Sequence, residues 1–233
     1  TLLYTSVAGF RFRQLFRNSE FKFYTTMIAA FTLFIMLELI FQRNYEVEHA
    51  FRSSVFQVVS FITTTGLYSD DAAKWPHVTW VVLAACMFFG GSSGSTSGGI
   101  KSMRGVMLVK IVKNEFRQIL HPNAVLPMKI DGYNVQMSKR VTLLAFIGLY
   151  LFLAVICAFT MIAAGIDSTN SMTITLSSLG NVGPTLGLEI GPTMSWNELP
   201  DFAKWISSFL MLVGRLELFS VLVLFTPSFW KEN

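Results

Sequence analysis

The sequence predicts an all-α integral membrane protein, and three observations carry that prediction. First, 52% of its 233 residues are hydrophobic and 14% are charged, with a mean hydropathy of +0.52. A soluble domain carries about 25% charged residues. Second, residues 24–41 and 141–166 are each long and apolar enough for a helix to cross ~30 Å of hydrocarbon, which takes ~20 residues. Third, the order span, short helix, Gly segment, span occurs twice, with Gly66 and Gly183 in equivalent places 117 positions apart.

Residues 1–23 form a basic approach segment with Arg11, Arg13, Arg17 and Lys22. It opens on Thr1, with nothing that reads as a signal peptide, which points to a fragment or a processed chain. Tyr24 to Phe41 is the first span, apolar except for three Thr and Glu38. Glu38 lies near its end and reads either as an interfacial carboxylate or as an ion site. From Glu46 to Ile62, apolar residues recur every three or four positions, which predicts an amphipathic helix. It runs into Thr63-Thr64-Thr65-Gly66-Leu67. Three β-branched hydroxyl residues stop a helix, and Gly66 permits positive φ. Such a segment aims carbonyls at a cation, with a helix C-terminus favouring positive charge there, or is a plain exposed turn.

Val78 to Phe89 is a charge-free run of twelve residues, about half the length of a span. Gly90-Gly91-Ser92-Ser93-Gly94-Ser95-Thr96-Ser97-Gly98-Gly99 comes next, where the membrane midplane falls. Non-helical backbone at that depth is tolerated only inside protein or along a water-filled path. The reading is therefore a broken helix beside a permeation path. Ile100 to Leu120 resumes as a basic helix, ended by His121-Pro122. Residues 121–140 form a polar connector, and Val141 to Ile166 is the second uncharged span. Asp167 to Asn170 caps a short helix, Ser171 to Leu179, that runs into Gly180-Asn181-Val182-Gly183-Pro184. Phe202 to Phe229 is the last span, interrupted by Arg215 and Glu217.

Charge orients these elements. Residues 1–23, 101–140 and 230–233 carry thirteen Lys and Arg, whereas the opposite side carries Arg43, Arg52, Lys74 and Lys204. The basic side is cytoplasmic, which places both ends of the chain there. Eight acids on the outer side, among them Asp70, Asp71, Asp167 and Glu189, either concentrate cations at a mouth or belong to ordinary solvated loops. The net charge of +4 is divided by side and does not argue for nucleic acid. Cys86 and Cys157 lie in apolar runs as packed thiols, and His49, His77 and His121 are scattered, so no metal-ligand cluster is legible.

Two Gly segments on helix ends read as parts of one selectivity filter, because carbonyl rings replace an ion's hydration shell. Two loops cannot close a four-fold ring, so the chain supplies half of one. Arg215 costs roughly 2.5–3.5 kcal/mol in mid-membrane. Its five donors suit the carbonyls of the 90–99 loop better than a pair with Glu217, since i,i+2 residues do not face each other. A rival class is an enzyme: residues 94–102 resemble a phosphate loop with Lys101 and Ser102 displaced by one position. A third class is a non-conducting scaffold, which predicts that Gly66 and Gly183 tolerate bulk.

The 63–66, 90–101, 121–125 and 179–184 segments, together with Gly214-Arg215-Leu216-Glu217, make the sequence resemble the Trk/Ktr/HKT superfamily of potassium transporters, in its TrkH branch. The resemblance covers nearly the whole chain and about half of the family's protein. It implies two potassium-channel-like M1–pore-helix–M2 repeats, the third and fourth of four, over residues 24–120 and 141–233. It implies re-entrant filter loops at Thr64, Thr65, Gly66, Leu67 and at Asn181, Val182, Gly183. Potassium would be the permeant ligand at Thr64, Thr65, Asn181 and Val182, with no other cofactor. It implies an intramembrane gate loop including Gly90, Gly91, Gly94, Ser95, Thr96, Gly98 and Gly99, contacted by Arg215 as a latch. It also implies membrane lipid as surroundings, a homodimer of full-length subunits, a cytoplasmic TrkA-like nucleotide-binding regulatory ring, and a bacterial inner membrane. The chain lacks the first two repeats, which speaks against independent conduction. Val182 and the absence of a Thr-Val-Gly-Tyr-Gly run suggest less strict potassium selection, with sodium as the alternative ion.

Overall fold

The computed structural model describes residues 9, 12–124, 126–186, 196–216 and 218–230. Arg11, Val125, Glu189, Glu217 and Lys231 lie outside the described residues. A short helix α1 (Phe12–Arg17) leads into α2 (Ser19–Arg43), and α3 (Val47–Ile62) comes after a tight turn. Then come α4 (His77–Phe88), α5 (Ser102–Leu120), the strands β1 (Lys129–Ile130) and β2 (Tyr133–Asn134), α6 (Met137–Ala163), α7 (Ser168–Gly180), α8 (Asp201–Leu216) and α9 (Leu218–Leu222).

The long helix α2 starts at Ser19, inside the predicted approach segment. The Asn18 side chain accepts a hydrogen bond from the Phe21 amide at 3.0 Å, and Glu20 sits in the first turn, where a carboxylate suits the helix dipole. Polar residues therefore extend the helix beyond its apolar stretch. Helix α7 is capped in the same way: Asp167 accepts from the Thr169 and Asn170 amides at 2.9 and 3.2 Å.

Among the described residues, α2 and α6 are long and apolar enough to cross a membrane, and α8 with the stretch after it makes a third if counted as one span. Only 17% and 22% of their apolar windows are buried, so most of each apolar surface faces outward. Leu33, Phe34, Leu37 and Phe41 on α2 and Leu151, Phe152, Val155 and Phe159 on α6 are all exposed. In a soluble protein such stripes would drive association; in hydrocarbon they cost nothing.

Three expected elements differ. The connector holds a small antiparallel hairpin, in which Lys129 pairs with Asn134 and Ile130 with Tyr133. Asp131 and Gly132 turn it with φ of 48° and 91°, which is the Asp-Gly chemistry of a tight primed turn. Helix α6 takes up Lys139 and Arg140 as its first turn. The last run is not one helix from Phe202 to Phe229: α8 ends at Leu216, α9 is five residues long, and 3₁₀ turns carry the chain to Phe229. Pro227, with the extended Thr226 before it (φ −86°, ψ 131°), stops the helix short of Phe229.

Helices α2 and α3 pack closely, as do α7 with α8 and α6 with α7, giving two bundles. Helix α4 touches both short helices, α3 and α7, and so joins them. One core gathers Ile35, Leu39, Val58, Phe61, Leu83 and Met87; a second gathers Phe146, Tyr150, Leu179, Leu210 and Val213. The Arg104 guanidinium lies 4.0 Å over the Phe146 ring and ties α5 to α6.

Candidate functional site

The two Gly segments share one backbone design. Thr64 and Asn181 have left-handed φ of 54° each, and Gly66 and Gly183 have φ of 74° and 108°. The hydrogen bonds repeat at the same offset. The Thr64 amide donates to Phe61 O at 3.2 Å and the Asn181 amide to Ser178 O at 3.1 Å. The Thr65 amide donates to Ser60 O at 2.9 Å and the Val182 amide to Ser177 O at 3.0 Å. One serine near the end of each short helix then fixes the extended residues beyond it. Ser60 Oγ donates to Leu67 O, while Ser177 Oγ accepts from the Gly183 amide at 3.0 Å. Alternating residues with positive φ turn successive peptide planes, and this is how an extended segment leaves carbonyls unpaired with its own helix.

The segments meet. A Cβ added at Gly66 would collide with the Val182 carbonyl oxygen, so only glycine lets the two backbones approach. Thr65, Leu67 and Gly183 are exposed, whereas the Val182 side chain is buried against the first core. The Asn181 side chain turns away and donates to Met211 O on α8 at 3.1 Å.

The 90–99 loop lies against both segments. The Gly98 amide donates to Thr64 Oγ1 at 3.3 Å, and a Cβ at Gly98 would collide with Gly180 O at the end of α7. The loop is closed at its base by a parallel bridge, in which the Gly90 amide donates to Ile100 O and the Ile100 amide to Phe88 O, both at 2.9 Å. Inside it, Ser97 Oγ accepts from the Gly91 amide at 3.0 Å, and Ser95 and Ser97 hydroxyls pair at 2.6 Å. The bridge and the Gly91–Ser97 bond satisfy backbone groups of the loop from within the chain. Three charged side chains hold the loop from different elements. Arg215 on α8 donates to Thr96 O. Lys101 Nζ donates to Ser95 O at 2.8 Å. Glu20 on α2, only 4% exposed, accepts from the Ser93 amide through one oxygen and from Ser93 Oγ at 3.1 Å through the other.

The TrkH family of cation transport proteins matches residues 14–232. The chain belongs to the TrkH cation transport protein family. A Trk system potassium uptake protein TrkH from Halomonas elongata is 33% identical over 222 residues, which is 95% of this chain and 45% of that protein. A TrkI from the same organism, also a Trk system potassium uptake protein, is 36% identical over 209 residues, 86% of this chain and 41% of its own. The crystal structure of the potassium transporter TrkH from Vibrio parahaemolyticus superposes with a TM-score of 0.90 at 30% identity, covering 99% of this chain and 49% of that one. The chain spans about half the length of the curated relatives it matches.

Within this TrkH-family chain the structure gathers Thr64, Gly66, Asn181, Val182, Gly98 and Arg215 into one junction, although they are drawn from stretches far apart in sequence. The phosphate-loop reading fails on geometry as well as on family. Residues 94–102 come after a helix, and Lys101 is engaged with Ser95 O within its own loop. The pairing of Arg215 with Glu217 falls on a residue outside the described ones. Glu20 is the residue that sequence reasoning missed. An acid in the first turn of a helix is ordinary dipole chemistry, so no local signal set it apart. Just past the C-terminal end of α2, burial and the charge of Asp70 push the Tyr45 phenol up, so it stays protonated. It donates to Asp70 Oδ2 at 3.4 Å, beside the Trp75 indole N–H at 3.3 Å.

Proposed function

We propose that the chain is half of a potassium-translocating pore subunit in a bacterial inner membrane, with both ends on the cytoplasmic side. Backbone carbonyls of Thr64 to Leu67 and of Asn181 to Gly183 form two quarters of a selectivity filter, with potassium at Thr64, Thr65, Asn181 and Val182. The remaining quarters come from repeats not present in this chain. The 90–99 loop is the gate and Arg215 its latch: the guanidinium holds the loop and its charge opposes a cation beside it. The full subunit works as a homodimer on a cytoplasmic nucleotide-binding ring that moves the loop.

One observation carries this reading. Two segments of the same left-handed design touch at Gly66 and Val182, and a loop tethered by Arg215 lies against both. The named function of the relatives, potassium uptake, agrees with it.

The test is rubidium uptake into proteoliposomes by the full-length product of the gene and by its Gly183→Asp variant. A Cβ at Gly183 meets nothing within 4 Å, so the aspartate fits and acts through its charge and strained φ. Uptake by the parent, inhibited by potassium and lost or no longer selective in the variant, is the expected result. Uptake inhibited equally by sodium would move the assignment to sodium. Uptake unchanged in the variant would remove Gly183 from the filter.

A further inference from the structure

We propose that the cytoplasmic end of α5 and the connector bind the phosphate of an anionic phospholipid headgroup. A cavity of about 280 Å³ opens there, lined by Lys110, Lys113, Asn114 and Arg117 of α5 and by Lys129 of β1. Its polar lining is four cations and an amide, with no carboxylate among the described residues. Lys110 Nζ already donates to Lys129 O at 2.8 Å, which fixes the ammonium at the cavity with two donors to spare. Asn114 Nδ2 is buried and has no hydrogen-bond partner among the described residues. A buried donor without a partner costs about 1–3 kcal/mol, which a turn of the Asn114 amide toward a phosphate oxygen in the cavity would relieve.

Three further features select lipid over a soluble anion. Val109, Val112, Phe116, Ile119 and Leu120 are all exposed and recur at helical spacing, so α5 carries an apolar stripe. Lys110, Lys113 and Arg117 form a second stripe one residue behind it. A basic stripe beside an apolar one lets a helix leave the membrane with its apolar face against acyl chains and its cations among the headgroups. Depth agrees. Measured from Ser102, at the end of the mid-membrane loop, Lys110, Lys113 and Arg117 lie about 12, 16 and 22 Å along the helix. Headgroups begin about 15 Å from the midplane and end about 22 Å from it. Basic pockets on the cytoplasmic side of membrane helices suit such phosphates.

The experiment is native mass spectrometry of the full-length protein in detergent with added phosphatidylglycerol or phosphatidylcholine. It compares the parent, the triple variant Lys110→Gln/Lys113→Gln/Arg117→Gln, and a control, Lys74→Gln, on the opposite side. The parent and control should retain phosphatidylglycerol preferentially, and the triple variant should lose about 10-fold or more of that preference. Equal retention of the two lipids by the parent, or an unchanged preference in the triple variant, overturns the proposal. So does displacement of the lipid by millimolar inorganic phosphate, which would mark a site for a soluble anion. If the triple variant does not insert, a salt series on the parent decides. The preference must weaken as salt rises, and a salt-independent preference overturns the proposal.

Discussion

At Gly66 a hydrogen in place of a Cβ lets two backbones touch, and at Gly183 the same residue type faces open space. The two positions are alike in φ sign and unlike in crowding. Gly66→Ala therefore combines a left-handed cost of about 1–2 kcal/mol with a collision against Val182 O, whereas Gly183→Ala carries the conformational cost alone. Thermal unfolding of the full-length protein should show the larger loss of Tm for Gly66→Ala, and equal losses would refute the close approach. Arg215 and Glu20 hold the same loop with opposite charges and from different helices. Under the gate reading, Arg215→Ala and Glu20→Ala each raise rubidium flux several-fold. Because both act on one loop, the double variant should show less than the product of the single effects. Normal expression with unchanged flux in both would sink the latch.

The short helix α7 is set by its ends. Asp167 caps α7 with two amide bonds, and Asn181 closes it in a left-handed turn. Asp167→Ala should cost about 1 kcal/mol, read as a modest fall in Tm; under the proposed filter reading ion selection stays intact, because the cap lies at the far end of α7 from Asn181 to Gly183. Gly98→Ala acts at the opposite end, where an added methyl collides with Gly180 O and wedges the loop from α7. Flux through the full-length protein should rise, and a fall would mean that the loop supports the open path. The hairpin of β1 and β2 shows where periodicity misleads. An Asp-Gly turn between two-residue strands leaves no alternation to read, although the dipeptide itself is a signal. The end of the last span has the same origin: a hydropathy run measures apolar length, and Pro227 stops the helix without shortening that run.

For the whole molecule, two bundles with outward apolar surfaces and exposed filter segments make an open half-ring under the reading proposed above. The 233-residue chain alone should give no rubidium uptake when the full-length product does. Uptake by the short chain would mean that two copies close the ring. The membrane class, the places of the long spans and the positions of both Gly segments are legible in the residues alone. Hydrophobic length, charge sidedness and helix-stopping residues are local properties, and each is written in a contiguous stretch. The contacts among these pieces belong to the packed fold. Arg215 and Thr96 are 119 residues apart, Glu20 and Ser93 are 73 apart, and Thr64 and Gly98 are 34 apart. Arg215, a charge in an apolar run, announces that it needs a partner, and can be matched to a loop of free carbonyls. Glu20 announces nothing, because a carboxylate on a first helical turn is already satisfied there. Its burial, and with it a hold on the loop, arises only when α2 packs beside the segment that joins α4 to α5.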